Sequence, residues 1–158
     1  TRHDQRWDVI VIDAFYADAI PFHLATYEFL QVVRQRLNPG GVVVVNIIGA
    51  LRGDSSKLLR SITKTYRTAF PTVLLYPVFT TAGDTNPTYI GNIILVATDG
   101  AAPSQSFLQQ RWAEIRKTSP TAPDLERAIK DRWERGTPFG DVPVLTDDYA
   151  PTDALLTD

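Results

Sequence analysis

Residues 7–15, Trp7-Asp8-Val9-Ile10-Val11-Ile12-Asp13-Ala14-Phe15, are an almost unbroken apolar run dominated by Val and Ile. Such a run predicts a strand buried on both faces, as in a parallel sheet. Tyr27, Leu30, Val33 and Leu37 then recur at helical spacing, and Asn38-Pro39-Gly40-Gly41 is expected to stop that helix. Val42 to Ile48 read as a second all-apolar strand. Strand, helix and strand in this order form a βαβ unit, for which a right-handed crossover is expected.

The alternation continues. Asp54 or Ser55 is placed to cap a helix in which Leu58, Leu59, Ile62, Tyr66, Ala69 and Phe70 share one face, with Pro71 ending it. Thr72 to Phe79 and Asn92 to Thr98 read as two further strands, separated by the polar stretch Thr80 to Gly91. No helix fits between them, so they are expected to be antiparallel neighbours. Beyond residue 100, Phe107, Leu108, Trp112 and Ile115 form one helical stripe, and Leu125, Ile129 and Trp133 another, both expected to face the core. Gly136 to Asp158 are rich in Pro, Gly, Thr and Asp and are expected to be extended or irregular. Residues 1–100 are thus read as one α/β unit and 101–158 as an extension of the same domain.

Bulk properties narrow the functional classes. The 158 residues are 44% hydrophobic and 22% charged, with a net charge of −2. This balance gives no polybasic footprint, so neither nucleic acid nor a membrane surface is an expected partner. The chain has no cysteine and two histidines, which makes a zinc site or a thiolate nucleophile a poor expectation. It carries no methionine, and its first residue is expected to be a boundary and not a translation start. A cytoplasmic setting is the expectation.

In open α/β sheets, ligands bind beyond the carboxyl ends of the strands. That rule points to the segments 13–21, 46–54 and 80–91. Asp13 follows the first apolar run directly, and Asp18 lies in the same loop. Two carboxylates there can hold a cation, bind a metal or act as a base. The structural alternative is that Asp13 accepts backbone hydrogen bonds and Asp18 is solvated. Asn46 and Asp54 flank the end of the second strand, where a ligand is within reach of Asn46. His23, at the expected start of the first helix, suits a cap or packing role better than proton transfer.

Several of these segments resemble one family. Trp7 to Phe15, Ile20-Pro21-Phe22-His23-Leu24-Ala25-Thr26-Tyr27-Glu28-Phe29 and Leu37-Asn38-Pro39-Gly40-Gly41-Val42 are similar to the spermidine synthase (polyamine aminopropyltransferase) family. Leu145-Thr146-Asp147-Asp148-Tyr149-Ala150-Pro151 is similar to the C-terminal signature of its spermidine synthase-like branch. The resemblance covers about residues 7–98 and this tail. It implies an α/β fold that is the C-terminal part, from the fourth strand onward, of a Rossmann-like sheet of the class I methyltransferase type. That sheet is mostly parallel, with an antiparallel last strand and a helical C-terminal extension.

The resemblance also implies roles. Asp13 matches the aspartate that serves as base, and Asp18 the carboxylate that helps hold the amine. The family's Asp-Ser-Ser-Asp becomes Asp13-Ala14-Phe15-Tyr16-Ala17-Asp18, two residues longer between the carboxylates. Pro87-Thr88-Tyr89 matches a motif whose tyrosine lines the amine site. The implied group donor is decarboxylated S-adenosylmethionine or S-adenosylmethionine, with no metal. Its glycine motif and acidic contacts belong upstream of Thr1, and any donor contact within this chain falls on Asp13 and Ala14. Gly40-Gly41 is no substitute, because it precedes a strand instead of opening a helix.

The expected function is transfer of an aminopropyl group to a polyamine, as part of a longer protein. A methyltransferase of unknown acceptor and a non-catalytic, oligomerising domain are the alternatives. Fold does not separate them. An exposed sheet edge makes a homo-oligomer the expected assembly. The Asp147-Asp148-Tyr149 tail is expected to fold back over the active-site edge.

Overall fold

The computed structural model describes residues 5–14, 20–78, 86–152, 154 and 155. Among them are strands β1 (Trp7–Ile12), β2 (Leu37–Gly49), β3 (Thr72–Pro77) and β4 (Gly91–Thr98). The helices are α1 (Tyr27–Gln35), α2 (Lys57–Ala69), α3 (Gln105–Thr118) and the short α4 (Glu126–Lys130).

The four strands form one sheet in the order β1-β2-β4-β3. β1 and β2 are parallel, with Ile12 opposite Val45. β4 is antiparallel to β2 on one side and to β3 on the other. Three strands therefore point one way and the last strand points back, as expected. The crossover through α2 carries β3 one strand beyond β2, and β4 fills the space between them.

Strand alternation sorts the side chains to two faces. On one face Ile12, Val43, Val45, Ile47, Ile93, Leu95 and Ala97 are buried, together with Leu30 and Val33 of α1 and Leu58, Leu59, Ile62 and Tyr66 of α2. Burial pushes the Tyr66 phenol up in pKa, and its hydroxyl has no hydrogen-bond partner among the described residues. On the other face, Val9 is 53% and Val11 65% exposed. The expectation of a first strand buried on both faces is therefore corrected. α1 and α2 lie on one side, and α3 reaches only the β3–β4 half of the other.

Further local expectations change. Leu37 was grouped with the helical stripe, yet it opens β2 and is buried there. Asn38 to Gly41 do not simply stop α1. They lie within a register irregularity of β2, between the pairs Trp7–Leu37 and Val9–Val42. Gly40 has φ +78°, and a Cβ on Gly41 would lie 3.0 Å from the Asn38 carbonyl and 3.1 Å from that of Asp8. The two glycines serve a left-handed turn and a close backbone approach. α1 is capped by Thr26, whose hydroxyl accepts from the Phe29 N–H at 3.3 Å, and not by His23, which sits in the preceding 3₁₀ turn Phe22–Leu24. Neither Asp54 nor Ser55 caps α2: with Ser56 they form a 3₁₀ turn leading into it. Of the α3 stripe only Trp112 is buried, whereas Phe107 and Ile115 are exposed. Trp133 lies beyond α4, where its N–H donates to the Leu75 carbonyl at 2.9 Å along the edge strand β3.

The tail straps the outer side of α2. The buried Arg60 donates through Nε to Ser56 Oγ at 3.0 Å, through a terminal nitrogen to the Pro138 carbonyl at 3.2 Å, and through both terminal nitrogens to the Asp141 carboxylate. Lys64 donates to the carbonyls of Phe139 and Val142. Leu145 is buried between Thr65, which accepts its N–H, and Tyr27, whose N–H its carbonyl accepts. The last bond satisfies a free donor in the first turn of α1.

Candidate functional site

β1, β2 and β3 end at one edge of the sheet, and β4 starts there. Asp13 leaves β1 at this edge. The register places it one step past the Ile12–Val45 pair, beside Asn46. Asn46 Nδ2 donates to Asp13 Oδ1 at 3.2 Å. The contact puts both side chains on the face that α1 and α2 leave open, in line with Val9 and Val11. Asp13 is exposed and Asn46 half-buried. A carboxylate only accepts, so the amide must turn its nitrogen toward Asp13. Asn46 Oδ1 then faces away, buried and without a partner among the described residues. The sequence held a signal for it: Asn46 is the one polar side chain between Val42 and Ile48.

Tyr89 lies at the same edge, just before β4. Asn86 Oδ1 accepts from the Thr88 N–H at 3.1 Å and from the Thr88 hydroxyl at 2.8 Å, tightening the turn. The Pro87 carbonyl accepts from the N–H groups of Leu51 at 2.9 Å and Arg52 at 2.8 Å, fastening that turn to the loop after β2. Gly53, at φ +78°, passes 3.6 Å from the Thr88 methyl, measured from where a Cβ would sit. The Tyr89 ring is 57% exposed above this docked turn. β2 separates β1 from β4, which puts two strand spacings, about 10 Å, between Asp13 and the line of β4, and Tyr89 precedes Gly91, itself three register steps beyond the Asn46–Ile94 pair. The two therefore do not meet on one atom.

Asp18 falls outside the described residues, as do residues 80–85 of the 80–91 loop, whereas Ala14 is described and half-buried. Gly40 and Gly41 lie at the opposite, amino end of β2, away from Asp13. Asp147 and Tyr149 sit beside the N-terminus of α1, with the Asp147 N–H donating to Glu28 at 3.0 Å. The tail thus flanks the strand-end edge along α1; its hydrogen bonds go mainly to the helices, and the Gly136 carbonyl accepts from Arg52 in the loop after β2 at 3.2 Å. Among the described residues no cluster of three or more His, Asp or Glu is placed to hold a metal ion.

A groove of about 700 Å³ opens on the same face as Asp13, between α3, α4 and the β3–β4 strands. Ile94, Val96, Leu108, Trp112 and Leu125 make its wall apolar. Ile94 is the cross-strand neighbour of Asn46. Tyr76, Arg111, Asp124, Arg127 and Asp131 also line it, but the strand-end rule puts the candidate chemistry at the Asp13 edge.

Against known proteins, no protein-family model matches the chain. It is 28% identical over 157 residues to the polyamine aminopropyltransferase of Vibrio vulnificus (strain CMCP6), covering 96% of this chain and 46% of that protein. It is 29% identical over 166 residues to the probable polyamine aminopropyl transferase of Bifidobacterium longum (strain NCC 2705), covering 97% and 34%. The chain thus spans less than half the length of these curated relatives. It superposes on a probable spermidine synthase from Corynebacterium glutamicum ATCC 13032 with a TM-score of 0.54 and 19% identity, over 90% of this chain and 53% of that one. The resemblance read from the sequence motifs is borne out, and the fold is the α/β fold that it implied.

Proposed function

We propose that this chain supplies the acceptor side of a polyamine aminopropyltransferase, with Asp13 as the base. The observation that carries the reading is the place of Asp13: an exposed carboxylate at a strand end, held by a neutral amide and by no cation among the described residues. Similarity to polyamine aminopropyltransferases along nearly the whole chain supports it.

An alkylammonium acceptor titrates near pH ~10, like lysine, so at neutral pH its nitrogen has no free electron pair. A carboxylate that is not already neutralised by a cation attracts the ammonium and then takes its proton. The freed nitrogen attacks the carbon next to the donor's sulfonium. The N–C bond forms, the C–S bond breaks, and its electron pair returns to sulfur as a neutral thioether. Asp18 would hold the acceptor's charge nearby. Tyr89 would meet a second ammonium through a cation–π contact worth about 0.5–2 kcal/mol. The donor's adenosyl part has no glycine-rich strand–loop–helix to hold it among the described residues, and in this reading other parts of the longer protein bind it.

The test is turnover by the protein that carries this chain, with decarboxylated S-adenosylmethionine and a series of amines. Asp13→Asn keeps the shape and removes the base, and kcat should fall about 10²–10⁴-fold. Unchanged turnover would reject Asp13. Parallel reactions with S-adenosylmethionine separate aminopropyl from methyl transfer.

A further inference from the structure

We infer that Asn46 is the positioning residue for Asp13. It fixes the rotamer of the carboxylate so that one oxygen is occupied and the other is left for the acceptor amine. The inference rests on the reading of Asp13 as the base.

Three observations converge. The β1–β2 register puts Asn46 beside Asp13 with no loop between them, so the pairing is set by the sheet itself. The Nδ2–Oδ1 bond engages one carboxylate oxygen. Asn46 Oδ1 is buried and has no partner among the described residues, so the bond to Asp13 is the amide's one side-chain hydrogen bond among them. The chemistry favours an amide at this position. A lysine or arginine would also orient Asp13, but it would neutralise the carboxylate and repel an ammonium. A leucine would leave the carboxylate free to swing into solvent. The amide orients the group and leaves its charge intact.

The first experiment does not depend on turnover. Three-bond couplings to the Asp13 carboxyl carbon, measured by NMR on the labelled 158-residue chain, report its χ1 rotamer. Wild type should show one rotamer. Asn46→Leu, which cannot hydrogen-bond, should show averaging, and Asn46→Gln, which can still donate, should restore a dominant rotamer. Asn46→Asp, isosteric but unable to donate, covers the case in which the leucine variant does not fold. A single, unchanged Asp13 rotamer in folded Asn46→Leu or Asn46→Asp overturns the inference.

In the protein that turns over, Asn46→Leu should lower kcat about 10–100-fold, the scale of a misplaced catalytic group, with little change in KM for the amine. A raised KM with unchanged kcat would instead make Asn46 a direct amine contact and overturn the positioning role. Absence of aminopropyl transfer by the wild type would refute the proposed function, while the rotamer measurement would still decide whether Asn46 holds Asp13.

Discussion

The two faces of the sheet are made from the same strands and treat them differently. Toward α1 and α2, every second residue from Gly41 to Gly49 of β2 and from Ile93 to Ala97 of β4 is buried, and the tail locks α2 from outside through Arg60 and Lys64. Toward α3, only the β3–β4 half is roofed, and the β1–β2 half carries exposed Val9 and Val11 up to the Asp13–Asn46 pair. One face is scaffold. The other leads to the candidate chemistry. Rigidity in the first holds the strand ends in register, so that a carboxylate just beyond β1 meets an amide within β2.

The contrast breaks most visibly in the packed face. Ile62→Ala, at a fully buried position of α2, should cost about 2–5 kcal/mol in denaturant unfolding, because the surroundings close only partly around the lost atoms. A cost below that range would mean that α2 is held chiefly by the strap.

The strap itself should be acid-sensitive. The Arg60 guanidinium, and then the backbone N–H of Asp141, hold the Asp141 carboxyl below its ordinary range. A carboxyl depressed in the folded state stabilises it above the unfolded pKa, and that contribution fades as pH falls through the folded value. Protection of the Leu145 and Tyr27 amides against hydrogen exchange, corrected for the intrinsic pH dependence of exchange, should therefore fall below about pH 4, the ordinary carboxylate range, before the α2 interior opens. Simultaneous opening of both would show that strap and helix are one cooperative unit.

The smallest effect belongs to the open half. Val11→Thr in this chain should change stability by less than about 0.5 kcal/mol, as surface substitutions do. A cost approaching that of Ile62→Ala would show that something covers this face in solution.

Much of the fold was legible because period and turn residues are local properties. The all-valine stretch 42–45, the helical stripe from Leu58 to Tyr66 and the helix-free connection before β4 each specify an element without reference to the rest. Leu37 and Trp133 were misread for the converse reason. Each continues a helical spacing, but the nearby strand edge claims its backbone, Leu37 in β2 and Trp133 against Leu75. A periodic pattern shows which residues are apolar and not which neighbour pairs with them. The open half of the β1 face belongs here too, since an apolar run is the same whether or not a helix covers it.

The site divides in the same way. Asp13 and Tyr89 were legible from the strand-end rule and the family motifs. Asn46 was visible as a polar interruption, but its partner was not. By itself, the sequence determined the elements, the carboxylate at the end of β1 and the resemblance to polyamine aminopropyltransferases, because each is written in contiguous residues. Only the tertiary structure decided that β4 enters between β2 and β3, that one sheet face stays half open, and that Asn46 meets Asp13 across 33 positions of chain. Those facts depend on strand order and register, which long-range packing sets.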